Sequence, residues 1–220
     1  MRKAPTRGRT QRVGVGPAPL PHRRRKLKGP SLADLDGSKT RQDRRGCIKD
    51  TVSIERRPKE VEQRLCVGDW EIDTVLGKPG TGGLVTVVDR KTRLLLATKI
   101  EDKTAAAVQV ALIHLLKGVE CRSLTTDNGK EFARHKEVSA ALGVPVYFAH
   151  PHSPWERGTN ENTNGLIREY LPKGIDFRVV QSDDVLRIVE RLNNRPRKCL
   201  GFRTPNEAFF NLPVAFGLTI

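Results

Sequence analysis

Three carboxylates carry the chemistry this sequence could do: Asp73 in GDWEIDTV, Asp127 in LTTDNGKEF and Glu161 in SPWERGTNENTNG. Each has an ordinary explanation when taken singly. Asp127, followed by Asn128-Gly129 where the chain is expected to turn sharply, suits a turn acid that hydrogen-bonds its own backbone. Glu161, near the start of a helix, suits a first-turn acid favoured by the helix dipole. Asp73 stands among apolar neighbours in a strand, where a carboxylate is expensive unless it is paired or bound to a cation. Together they read differently. Two carboxylates about 4 Å apart repel by about 4 kcal/mol at an effective dielectric near 20, so a converging cluster needs a cation. All-oxygen ligation points to Mg²⁺ or Mn²⁺ rather than Zn²⁺. Two such ions can activate water or a 3′ hydroxyl and stabilise the leaving oxygen of an in-line displacement at phosphorus.

The elements that must position these acids follow from periodicity. Trp70 to Gly77 alternates, with Glu71, Asp73 and Val75 on one side, and reads as a strand. Leu84 to Asp89 and Leu94 to Ile100 are two further strands joined by the polar link DRKTR, which implies an antiparallel meander. Thr104 to Lys117 is a helix closed by Gly118, and Cys121 to Gly129 is a fourth strand with Asp127 at its C-terminal end, where ligand sites form in mixed α/β sheets. A helix over 130–142, a fifth strand over 144–149, a helix to about Pro172 and another over 183–194 complete the order β-β-β-α-β-α-β-α-α. Thr204-Pro205-Asn206-Glu207 opens one more helix with a capping box. At 100° per residue, Asn164, Gly165 and Arg168 fall within about 60° of Glu161, whereas Leu166, Ile167, Tyr170 and Leu171 gather on the buried side. Glu156, the other acid of the stretch, is assigned as a local cap to Ser153.

Charge is concentrated at one end. Residues 1–60 hold 18 of the 40 Lys/Arg and only 6 of the 25 Asp/Glu, including the run HRRRKLK. The expected organisation is a disordered basic arm over residues 1–50, a transition segment over 51–66 with a short helix around Lys59 to Arg64, a catalytic domain over 67–212 and a tail over 213–220. Such an arm suits a polyanion, or is simply a solvated tail. Four scattered cysteines, without a CxxC pair, form neither a zinc site nor a disulfide framework. No signal peptide or apolar span is present, so a cytoplasmic protein with no membrane partner is expected.

The motifs GDWEIDTV, LTTDNGKEF, YFAHPHSPWERGTNENTNGLIREYLPKG and LNNRPRKCLGFRTPNEAFF, in this order over about residues 66–211, resemble the catalytic domain of DDE transposases of the IS-thirty insertion-sequence family. The 33 residues between Asp127 and Glu161 agree with that family's spacing. The resemblance implies an α/β, RNase H-like integrase core: a mixed five-stranded sheet flanked by helices. It implies Asp73, Asp127 and Glu161 as catalytic, Mg²⁺-binding residues, strand cleavage at transposon ends followed by strand transfer to target DNA, and a bacterial, nucleoid-associated homo-oligomer. Asn128, Trp155, Arg157, Asn160 and Asn164 match motif positions, and their chemistry suits orienting ligands or holding DNA. Arg168, Arg195 and Arg197 are further candidates for DNA contact.

The sequence departs from the family in places. Ile72 stands where a small residue usually precedes the first Asp, and either points away by strand alternation or crowds the site. His152 and Pro154 replace the usual Tyr and Ser. The N-terminal helix-turn-helix region of the family is not evident, which suggests a truncated or frame-disrupted copy. Two other readings are therefore kept: a remnant that only binds DNA nonspecifically, and a nonspecific nuclease of the same fold.

Overall fold

The computed structural model describes residues 48–151 and 153–213. The basic arm, apart from its last three residues, and the tail after Pro213 lie outside them.

A two-residue strand, β1 (Val52–Ser53), and a one-turn helix, α1 (Lys59–Glu62), lead into β2 (Asp69–Leu76). The alternation of β2 continues into the expected meander: β2 runs antiparallel to β3 (Gly83–Asp89), and β3 to β4 (Leu95–Ile100). Asp89 makes the β3–β4 turn by accepting from the backbone N–H groups of Lys91 and Thr92 and from the Thr92 hydroxyl. Helix α2 (Ala105–Leu116), capped by the Thr104 hydroxyl on the Ala107 N–H, crosses to β5 (Ser123–Thr126). Helix α3 (His135–Leu142) ends at Gly143 in the left-handed region, φ 70°, and β6 (Val146–Phe148) follows. Helices α4 (Gly158–Arg168), α5 (Ser182–Asn193) and α6 (Pro205–Phe209) finish the domain, α6 with the expected Thr204–Glu207 capping box.

The sheet order is β1-β6-β5-β2-β3-β4, with β2, β5, β6 and β1 mutually parallel and the β2–β3–β4 meander antiparallel. This is the mixed sheet expected, with a sixth strand added. Val52–Ser53 is too short to carry a period-two signal, and only its parallel pairing to Tyr147 and Phe148 makes it a strand. Strand alternation divides the core. Trp70, Ile72, Val85 and Val87 pack with Val108, Leu112 and Val138 of α2 and α3 on one face; Val75, Leu84, Val88 and Leu95 pack with Ile167, Val185 and Leu192 of α4 and α5 on the other. At the edge, the Asn193 carboxamide accepts from the N–H of Leu95 (2.9 Å) and donates to its C=O (2.8 Å).

Two helices differ from expectation, one in its start and one in its buried face. The segment 130–142 breaks into a 3-10 turn, Lys130–Phe132, and α3, because Glu131 and Phe132 are both drawn inward at the turn. The buried face of α4 is Thr159, Asn160, Thr163 and Ile167, while Leu166 is half-buried and Tyr170 is 37% exposed. That helix packs over the polar side chains of β2, so its small and amide residues turn inward. No helix among the described residues is long and apolar enough to cross a membrane.

Candidate active site

The site forms where α4 lies along the β2 face that carries Glu71, Asp73 and Val75. The strand period of two residues spans about 6.8 Å, and four helical residues rise about 6 Å. Successive positions therefore stay in step. The Asn160 N–H donates to Glu71 Oε2 (2.8 Å), the Asn164 Nδ2 donates to Asp73 Oδ2 (3.0 Å), and Ile167 shares the core cluster of Val75. The other oxygen of Asp73 accepts from the Thr74 N–H (2.8 Å), so both of its oxygens are held. Thr86, opposite Asp73 on β3, places its hydroxyl 3.3 Å from the Asn164 Oδ1.

Asp127 follows β5 directly, beside β2 in the sheet, and its Oδ1 accepts from the Gly129 N–H (2.9 Å). The turn is made without a left-handed residue, since Gly129 has φ −65°. The turn is tight: a Cβ on Gly129 would lie 2.5 Å from Glu131 Oε2 and 2.9 Å from Asp127 Oδ1, so a side chain there would displace these carboxylates. Asn128 spans the turn to β6, its Nδ2 donating to the Ala149 C=O (2.7 Å).

Arg157 joins the two aspartates. Its Nη1 lies 3.4 Å from Asp73 Oδ2 and its Nη2 3.2 Å from Asp127 Oδ2. Asp73 is the more enclosed of the pair, and loss of solvent pushes its pKa above the ordinary carboxylate value; the Arg157 cation opposes this, and the nearby charges of Asp127 and Glu131 add to it. The 3-10 turn Pro154–Arg157 that carries Arg157 is not set by a Ser153–Glu156 cap, as local spacing suggested. The Glu156 carboxylate instead accepts from the His150 N–H (2.8 Å) and pairs with the His150 ring (2.8 Å). A tertiary partner outcompetes the local one.

Glu161 is exposed and lies on α4 about 60° around from Asn164. Among the described residues, no three His, Cys, Asp or Glu side chains are close enough to hold a metal ion as they stand. Asp73 and Asp127 are thus brought together and Glu161 is placed on the neighbouring helix, outside their cluster. The pair itself fits a hard divalent cation: two carboxylates, one partly desolvated, face a common positive charge on oxygen ligands alone.

The other candidates occupy varied settings. Trp155 is 74% exposed. Asn160 is fully buried, and its side-chain carboxamide oxygen and nitrogen have no hydrogen-bond partner among the described residues. Arg168 staples α4 to β2 by donating to the Leu76 C=O (2.7 Å), Arg195 lies 3.5 Å from Glu169, and Arg197 donates to the Leu192 C=O (3.1 Å). Ile72 pairs with Val87 and packs into the α2–α3 core, away from the carboxylates, as strand alternation requires.

Two residues stand out that sequence reasoning did not single out. Glu71, wholly buried, pairs with Arg90 and caps the first turn of α4; the signal was its place in phase with Asp73 on β2. Glu131, 7% exposed, contacts Thr74 and Lys103; its signal was the motif shared with Asp127.

Residues 67–154 match the family model described as integrase core domain. Over 167 residues the chain is 46% identical to the transposase for insertion sequence element IS4351 of Bacteroides fragilis, a match covering 75% of this chain and 51% of that one. It is 47% identical to the IS1086 transposase of Cupriavidus metallidurans (74% and 49%), and 40% identical to transposase InsI of IS30A from Escherichia coli (76% and 45%). The chain spans about half the length of these relatives. Among solved structures, the catalytic core of BIV integrase aligns with TM-score 0.53 at 20% identity, covering 66% of this chain and 94% of that one. A simian T-cell lymphotropic virus intasome chain aligns with TM-score 0.54 at 21% identity (69% and 58%), so the fold is the RNase H-like one of integrase cores. The chain is thus similar in sequence to insertion-sequence transposases over about half of their length, and shares its fold with integrase catalytic cores.

Proposed function

We propose that this domain cleaves DNA strands at the ends of an insertion sequence and transfers the freed 3′ hydroxyl to target DNA, with Asp73, Asp127 and Glu161 binding Mg²⁺ or Mn²⁺. The observation that carries the reading is the Asp73–Asp127 pair, oriented by Asn164, Thr74 and Gly129 and bridged by one guanidinium. Bound divalent ions supply activation of the attacking oxygen and stabilisation of the leaving one. The chain's own residues fix the carboxylate planes, and Glu161 is supplied as the third ligand from the first turn of α4. Trp155, exposed, faces the DNA strand toward a base, and Arg157, released from the two aspartates when a cation takes its place, turns toward a phosphate. The active form is a homo-oligomer acting at the nucleoid.

The test is incubation of the purified chain with supercoiled plasmid and Mn²⁺. Nicked and joined products are expected from the unaltered chain and none from Asp127→Asn, with the variant's circular dichroism and melting unchanged. Joining by Asp127→Asn would overturn the assignment, and nicks without joined products would reduce the function to that of a nuclease.

A further inference from the structure

Glu131 is a buried carboxylate that the proposed chemistry does not use, yet it touches both arms of the site. Its Oε1 accepts from the hydroxyl of Thr74 (3.2 Å), the residue whose N–H holds Asp73. Its Oε2 and the Oδ1 of Asp127 lie 2.5 and 2.9 Å from one point, that of a Cβ on Gly129. The Gly129 N–H in turn holds Asp127. Glu131 thus spans from the strand behind Asp73 to the turn behind Asp127. Unpaired, it would be a third negative charge in a partly desolvated place. Lys103, on the link between β4 and α2, closes on it with Nζ 2.6 Å from Oε1. The Lys103 side chain is 41% exposed, so its ammonium comes in from solvent to meet an acid that is 7% exposed.

We infer that Glu131 and Lys103 form a charge-balanced crosspiece that sets the Asp73–Asp127 geometry and the electrostatic field in which a divalent cation is bound. Glu131 is a positioning residue: its carboxylate is committed to Thr74 and Lys103, and its charge reaches the site only to the extent that Lys103 leaves it uncompensated. The inference rests on the reading of Asp73 and Asp127 as cation ligands.

The two partners then have opposite signs. Glu131→Gln keeps the shape and an oxygen for Thr74 but frees the Lys103 charge, so Mn²⁺ should bind about fivefold or more weakly. Lys103→Met leaves the Glu131 charge facing the site, so Mn²⁺ should bind about fivefold or more tightly. The double variant should return near the unaltered affinity, with the cycle giving the coupling. The measurement is Mn²⁺ titration by calorimetry or electron paramagnetic resonance on the full chain, without DNA. A merely structural pair would weaken binding in both variants, and that result, or no change in either, would overturn the inference. Lys103→Met changes a half-exposed side chain, so its sign decides the matter even if Glu131→Gln does not fold. If the unaltered chain takes up no Mn²⁺, the reading of the aspartates fails first, and the crosspiece has no cation to serve.

Discussion

The backbone N–H of Asn160 donates to Oε2 of Glu71 at 2.8 Å, which fastens the first turn of the helix carrying Glu161 to the strand carrying Asp73. The other oxygen of Glu71 pairs with Arg90, which also donates to the C=O groups of Val61 and Glu156. One buried ion pair therefore ties together β2, α1, the β3–β4 turn and the approach to α4. Burial pulls the Arg90 pKa down, and the Glu71 charge opposes that pull.

Glu71→Ala should destabilise the domain by about 3–5 kcal/mol, because it leaves a buried guanidinium without its counter-charge. Glu71→Gln removes the same counter-charge and leaves one acceptor oxygen for two donors, Arg90 and the Asn160 N–H, so it should also cost about 3–5 kcal/mol. Urea denaturation monitored by circular dichroism gives both values. Amide hydrogen exchange at Asn160 should quicken in either variant, and unchanged protection there would show that Glu71 does not hold α4.

Arg157→Gln removes the cation between Asp73 and Asp127. Since Asp127 is 40% exposed, solvent screens part of the effect, and a loss of about 1–2 kcal/mol at neutral pH is expected. The loss should shrink in acid, where the Asp73 carboxylate, its pKa raised by burial, protonates and no longer needs the guanidinium. Mg²⁺ at millimolar levels should raise the melting temperature of the variant more than that of the unaltered chain. Equal rises would mean that cation and guanidinium do not share the same carboxylates.

The strap between His150 and Glu156 gives a pH dependence. Hydrogen bonding to Glu156, helped by its charge and by Glu55, raises the His150 pKa above 6.5. Burial works against ionising Glu156, but the hydrogen bonds from His150 prevail and hold its pKa below 4.5. A raised histidine stabilises below its ordinary pKa and loses that contribution as pH climbs through its folded value. A lowered carboxylate stabilises above its ordinary pKa and loses its contribution as pH falls through its folded value. The strap is therefore strongest between about pH 4.5 and 6.5. The melting-temperature gap between the unaltered chain and His150→Gln should be widest near about pH 5.5 and narrow toward about pH 9. A gap constant with pH would place the ring's contribution in packing alone.

Much of the architecture was legible because its signals are local: alternation in β2, β-branched runs in β3, the capping residues Thr104 and Thr204, and Gly143 after α3. That Asp73 and Asp127 become neighbours was legible from their places on adjacent strands, whereas Glu161 stands outside their pair. What could not be read is whatever depends on partners distant in sequence. Glu156 follows Ser153 with capping-box spacing, but His150 offers a better-placed donor. Glu131 looks like an acid at a helix start and is instead drawn under Gly129. Arg157 could be named as a basic residue near the site, but its bridging of two strands appears only once the 3-10 turn aims it there.

The Asn193 carboxamide on the rim of β4 has a consequence for how copies of the chain meet. It presents an N–H and a C=O to Leu95 just as a peptide group of a further strand would. That position on the rim is already answered from within, and cannot be zipped to a strand from another molecule. A second copy of the chain is thus denied edge-to-edge strand pairing at this position of β4.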